Sequence, residues 1–174
     1  MPHVIERAST GRAKCRTCGE KIAAAELRFG ERVPNPFGDD GSETTHWFHP
    51  VCASFTRPES FLEVLASTTE VLDNRDALER EAALGVAPHR LPRVRAADRA
   101  PTGRATCRAC KALIEKGAWR IGLAFYEDGR FSPSGFIHVT CAATYLETRD
   151  IGPRLKHFSP ALSDDDLKEV EAAL

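Results

Sequence analysis

The chain contains the same twelve-residue signal twice. Residues 7–18 read RASTGRAKCRTC and residues 99–110 read RAPTGRATCRAC, 92 residues later, with nine of the twelve positions identical. Each copy is followed by a His-x-x-Cys pair, His49 to Cys52 and then His138 to Cys141. A repeat of this kind requires one small structural unit to be built twice. For 174 residues that means two domains of about 80–90 residues rather than one.

All six cysteines fall into the two sets, three in each, and none is left over. A short Cys-x-x-Cys loop gives the right bite for two tetrahedral ligands, and a distant His-x-x-Cys supplies the other two. The gap between the pairs is 30 residues in the first half and 27 in the second. The sets Cys15, Cys18, His49, Cys52 and Cys107, Cys110, His138, Cys141 are therefore read as two structural zinc sites. Four protein ligands leave no position for water or substrate, so the metal serves folding. Domains this small bury a modest core and commonly need such a staple. The competing readings are two disulfides with two spare thiols, or a redox Cys-x-x-Cys. The repeated three-cysteine, one-histidine stoichiometry favours zinc over both. In the first half His46 also lies close, but the second half offers only His138 at its position. The repeat thus selects His49 and leaves His46 at the surface or beside the ligands.

The fold class expected is α+β: two small zinc-stapled domains, each a short antiparallel sheet with flanking helices. Residues 27–33 alternate as a strand, with Leu27, Phe29 and Val33 on one face and Arg28 on the other. Residues 34–41 are loop by composition, and Trp47 and Phe48 belong to a returning strand that delivers His49. Ser60 is expected to cap a short helix over 61–65, and Asp73 or Asn74 to begin another over 75–84, stopped by Gly85 and Pro88. In the second half residues 121–126 extend the strand, 127–130 turn, a helix follows Cys141, and Ser163 opens a last helix with Leu167, Val170 and Leu174 as its stripe. Pro88 and Pro92 forbid a continuous helix, so 89–98 reads as an extended basic linker between domains 1–88 and 99–174.

The net charge of −1 is unevenly spread. Residues 89–121 hold nine Lys or Arg against two acids, whereas 59–88 hold seven acids against two Arg, and 122–174 nine acids against five bases. A local basic stretch is what phosphate binding needs, and acidic segments elsewhere keep the remaining surface off DNA. No leader of the secretory kind opens the chain, and no apolar run approaches membrane-spanning length, which makes an intracellular location without membrane association the expectation. Arginine outnumbers lysine eighteen to six and alanine reaches 24, a bias of GC-rich genomes. The expected location is thus the cytoplasm around a bacterial nucleoid, or the nucleus if the source is eukaryotic.

The string from Gly11 to Cys18, then Leu27-Arg28, then His46 through Cys52 resembles a PARP-type zinc finger, the strand-break-recognising module of poly(ADP-ribose) polymerase and of one eukaryotic DNA ligase. The second half is similar through 103–107, Trp119-Arg120 and 136–141. The resemblance implies that Arg12 and Arg28, with Arg104 and Arg120 in the second copy, face backbone phosphate. A planar guanidinium suits phosphate oxygens in a bidentate fork. It also implies that Phe37, between Pro36 and Gly38, stacks on bases exposed at a break. Tyr126 and Phe131, flanking the second turn, are the candidates for a second stacking pair, with a place in the core as the alternative for Phe125 or Tyr126. No room remains for a transferase or ligase catalytic domain, so the expected protein is a non-catalytic sensor of nicks, gaps or ends, with DNA carrying strand breaks as its partner. A repair enzyme such as a ligase is the expected protein partner, and two fingers in one chain make a monomer sufficient. An enzyme is disfavoured because no nucleophile–base arrangement is legible. A zinc-stabilised protein-interaction adaptor with only nonspecific DNA affinity is the alternative.

Overall fold

The computed structural model describes residues 2–35, 37–39, 41–127 and 129–174, so Pro36 and Asp40 of the first loop and Asp128 of the second turn lie outside the described residues. The chain divides into two compact units, residues 1–87 and 88–174.

In the first unit β1 (Val4–Arg7), β2 (Leu27–Pro34) and β3 (Glu43–Phe48) form an antiparallel sheet in the order β1-β2-β3. The register sets Ile5 opposite Phe29, and Phe29 opposite Phe48. All three are buried, together with Ile22, Phe61 and Leu65. The Phe29 ring meets Phe48 at 5.9 Å and Phe61 edge-on at 5.6 Å, the offset geometries that aromatic quadrupoles favour. Helix α1 (Pro50–Thr56) starts directly after His49, and α2 (Pro58–Leu65) and α3 (Arg75–Val86) follow. Proline opens both α1 and α2, where the missing N–H is one that a helix leaves unsatisfied anyway.

The second unit repeats the sheet with β4 (Val94–Arg99), β5 (Trp119–Glu127) and β6 (Arg130–His138) in the order β4-β5-β6. Its helices are α4 (Val139–Leu146), α5 (Gly152–Phe158) and α6 (Asp164–Ala172). Ile121, Ile137, Leu146, Ile151, Leu155 and Val170 make the core. Ser163 and Asp166 close a reciprocal capping box at the start of α6, as the Ser-Asp run suggests. The α+β class, two antiparallel three-stranded sheets each flanked by helices, agrees with the sequence reading.

Three local expectations require correction. Residues 89–98 are not a free linker. The two prolines confine helix to a single 3-10 turn, Leu91–Arg93, after which β4 begins and pairs along β5. Ser60 does not cap its helix: α2 starts at Pro58, and the Ser60 hydroxyl donates to Glu31 at 3.0 Å. Gly85 does not end α3, which continues to Val86 with Gly85 buried.

Candidate metal centres and nucleic-acid interface

The repeat is reproduced hydrogen bond by hydrogen bond around each cysteine pair. Cys15 N–H donates to Glu20 O and Gly19 N–H to Cys15 O; Cys107 N–H donates to Ala112 O and Lys111 N–H to Cys107 O. Each knuckle is tied to the returning strand through Arg16 N–H to Trp47 O at 2.9 Å and Arg108 N–H to Phe136 O at 2.8 Å. The turn after the second cysteine needs a left-handed backbone. Gly19 supplies it at φ 79°, while in the other unit Lys111 adopts φ 65°.

Each ligand histidine stands at the end of its strand and immediately before a helix, with extended φ, ψ of −63°, 144° at His49 and −61°, 147° at His138. The cysteine three residues on lies in the first helical turn, so one strand-to-helix corner aims both groups at the knuckle. The four ligand atoms of each set lie within 4.8 Å of one another. Cys18 Sγ is 3.4 Å from His49 Nδ1 and Cys110 Sγ 3.4 Å from His138 Nδ1, against about 3.5 Å for sulfur and nitrogen on one tetrahedral zinc. The other ring nitrogens are held from behind. His138 Nε2 faces Leu113 O at 3.2 Å, and His49 Nε2 lies 3.7 Å from Glu26 Oε1, with the Lys21 backbone near its ring. Such partners fix the tautomer and orientation of a zinc-bound imidazole.

The donor chemistry fits a dication. Hydrogen bonding from Cys52 holds the Cys15 thiol down to about 3, and that same thiolate pushes Cys52 up. Burial pushes Cys107 up, but backbone N–H groups at Cys110 and His138 outweigh it and bring it down to about 6. Burial and the neighbouring sulfurs push Cys141 up to about 11. Three crowded sulfurs beside one imidazole, shielded from water at Cys15, Cys52 and Cys107, are satisfied together by zinc. Two structural zinc ions are the cofactors. His46 is outside the set: it is buried on β3 opposite Glu31, and burial with the nearby Arg16 charge lowers its pKa.

Residues 6–87 match the family described as the poly(ADP-ribose) polymerase and DNA-ligase Zn-finger region. Residues 6–87 are a PARP-type zinc finger, and the second unit repeats its three-cysteine, one-histidine set. The chain is 33% identical to chicken poly [ADP-ribose] polymerase 1 over 69% of this chain and 13% of that protein. It is 26% identical to Drosophila melanogaster poly [ADP-ribose] polymerase over 100% of this chain and 19% of that one. An Arabidopsis thaliana protein named polynucleotide 3'-phosphatase ZDP is 26% identical over 81% of this chain and 24% of its own length. The chain thus spans a minor part of each relative, and the matched region is the zinc-finger region. No helix among the described residues is long and apolar enough to cross a membrane.

The side chains expected to face DNA fall into distinct environments. Arg12 and Arg104 are exposed and make no ion pair or side-chain hydrogen bond among the described residues. Arg28 and Arg120 are only 10% exposed and held in matching clamps. Arg28 donates to Glu6 Oε1 at 2.6 Å and lies 3.5 Å over the Trp47 ring. Arg120 makes a bidentate pair with Asp98 at 2.9 and 2.8 Å and lies 3.7 Å over the Phe136 ring. Gly30 opens the space the indole needs, since a Cβ there would stand 2.6 Å from a Trp47 ring carbon. Phe37 is 97% exposed in the first loop. Tyr126 and Phe131 are half-buried, directly opposite across the β5–β6 hairpin, with ring centroids 4.6 Å apart. Sequence reasoning missed Glu6, Asp98 and the two clamp rings. The signal was present: an acid immediately precedes both copies of the repeat, and an aromatic stands two residues before each ligand histidine.

Proposed function

We propose that this chain is a non-catalytic, zinc-dependent DNA-binding protein that recognises strand breaks, whether nicks, gaps or ends, through phosphate contacts and base stacking, and that it acts in DNA repair. The observation that carries the reading is Phe37, a phenyl ring left 97% exposed on a domain whose other large rings are covered. Covering such a ring is worth about 2 kcal/mol, and a base face exposed at a break is a flat, sequence-tolerant partner for it. Arg12 and Arg104, exposed at equivalent positions of the two fingers, suit backbone phosphate. Arg28 and Arg120 serve as second phosphate contacts when phosphate displaces the half-exposed carboxylate that holds each one. Tyr126 and Phe131 provide the stacking pair of the second finger. The polymerase and phosphatase names of the relatives support a setting in nucleic-acid repair, with a repair enzyme such as a ligase as the protein partner.

The test is a salt-controlled titration of the zinc-loaded chain against one duplex, either intact with blocked ends or carrying a single nick. A clear preference for the nick is expected, lost in Phe37→Ala, while Arg12→Ala weakens binding to both duplexes and flattens the salt slope. Equal, weak binding to both duplexes would move the adaptor reading to the front.

A further inference from the structure

The second finger carries a feature that the repeat does not account for. Side by side lie the rings of Tyr126 and Phe131, with centroids 4.6 Å apart, and the Arg95 guanidinium, 4.1 Å over Phe131. Arg95 also lies 5.1 Å over Phe158, which in turn meets the His157 ring at 4.8 Å. These five side chains form one continuous series of rings and a cation, running from the β5–β6 hairpin across β4 to the end of α5. Beside it Arg93 covers Phe125 at 4.1 Å. In the first finger the residue equivalent to Arg95 is His3 and that equivalent to Tyr126 is Pro34, so the zinc framework folds without such a series.

The members are neither core nor freely dangling. The core of this unit is closed to solvent, whereas Arg93, Arg95, Tyr126, Phe131, His157 and Phe158 are all half-buried, with Nη2 of Arg95 covered. Arg95 is fixed in place by donating to the Pro92 and Val94 carbonyls at 3.3 and 2.9 Å. The surrounding segment 89–121 has nine basic residues against two acids, and one of those acids, Asp98, is engaged by Arg120. Held aromatic and guanidinium planes in a basic setting are what a single strand requires. Its bases have unpaired faces to stack, and its phosphates lie within reach of the same cations. The interior of an uninterrupted duplex presents no such faces.

We propose that this series is a binding surface for single-stranded DNA, distinct from the Phe37 loop and from the phosphate contacts near zinc. It extends the break-sensing reading and shares Tyr126 and Phe131 with it, so the test relies on Arg93, Arg95 and His157, which that reading does not use. The probe is a labelled oligothymidine of about 12 nucleotides, titrated by fluorescence anisotropy with the full zinc-loaded chain. Arg93→Gln combined with Arg95→Gln is expected to weaken binding by about tenfold, as loss of one stacked base would, while Lys168→Gln, which removes an exposed charge on α6, leaves it unchanged. Ultraviolet crosslinking of the same oligonucleotide is expected to map to peptides containing Tyr126 or Phe158. A loss below about threefold, crosslinks confined to the Phe37 peptide, or no oligothymidine binding by the unaltered chain would overturn the proposal. Zinc content and the thermal transition report whether the double variant folds. If it does not, His157→Ala decides by the same threshold. Absence of nick preference with oligothymidine binding intact would remove the break-sensing reading alone.

Discussion

If Arg120 meets phosphate, stability and DNA affinity should move in opposite directions on one substitution, Asp98→Asn. In the native unit the Arg120 side chain is 10% exposed and that of Asp98 48% exposed, joined by two hydrogen bonds of 2.9 and 2.8 Å. A charge-assisted pair of this kind contributes about 1.5–3 kcal/mol net, and solvent at the carboxylate places it at the lower end. Asparagine keeps one acceptor but neither the charge nor the fork, so the second unit should lose about 1.5 kcal/mol. For a domain of this size that lowers Tm by about 6–12 °C. Calorimetry at fixed free zinc checks it, because bound metal stabilises by mass action and must be held constant.

Binding should respond with the other sign. If phosphate takes the place of the carboxylate on Arg120, removing the carboxylate charge removes its competitor. Without the Asp98 charge the phosphate meets one more net positive charge, which steepens the salt dependence of the binding constant by about 0.9 in log–log slope. The gain over the unaltered protein should then grow by about threefold between about 200 and about 50 mM salt. Glu6→Gln should act likewise on Arg28 in the first finger. An affinity that falls in step with stability, or a slope that does not change, would show that these arginines are internal clamps only and would remove them from the DNA contact.

Three further perturbations separate the roles of the remaining parts. Cys107→Ala should release about one zinc per chain and unfold the second unit while the first keeps its metal, as read by zinc analysis and two-transition calorimetry. Lys111→Gly should stabilise the second unit by about 1 kcal/mol, because the lysine occupies φ 65° where Gly19 serves the first finger; an unchanged or lower Tm contradicts this. Acidification should release zinc from both sites, since every ligand must lose its proton to bind, and a metal-sensitive dye checks this.

The metal-proximal half of each finger was legible because its constraints are local and chemical. Ligand type and spacing determine a knuckle, and the duplication chose His49 over His46 without any coordinates. The strand around Arg28 and the capped helix at Ser163 were legible from alternation and capping for the same reason. The segment 89–98 was misread because proline spacing says where helix cannot form but not whether an extended segment finds a partner strand; β5 supplied that partner from more than 20 residues away. The Arg28 and Arg120 clamps failed to emerge because burial of a guanidinium depends on a carboxylate and a ring brought from two other strands. Helix α5, opened by Gly152-Pro153, was missed because 7 residues are too few for a helical period to show, although Pro at such a position suits the start of a helix.

Where the two fingers agree and where they part suggests how labour is divided between them. Agreement is closest around zinc, down to paired backbone hydrogen bonds and the backbone behind each imidazole. Divergence is concentrated at the far end of the sheet. There the first finger has a longer loop bearing an uncovered Phe37, and the second has a tight hairpin bearing Tyr126 and Phe131 bound into the Arg95 series. Metal sites of this closed kind supply folding free energy and no chemistry, so sequence change near them costs stability without changing the ligand. Change at the distal hairpins costs little stability and alters what is touched. The two loops are therefore the places to look for different DNA preferences. Grafting residues 34–42 between the existing strands of the second finger should move the Phe37-dependent binding with the loop while leaving both zinc sites filled. Retention of that binding by the first finger after its loop is removed would place recognition in the zinc-proximal frame instead.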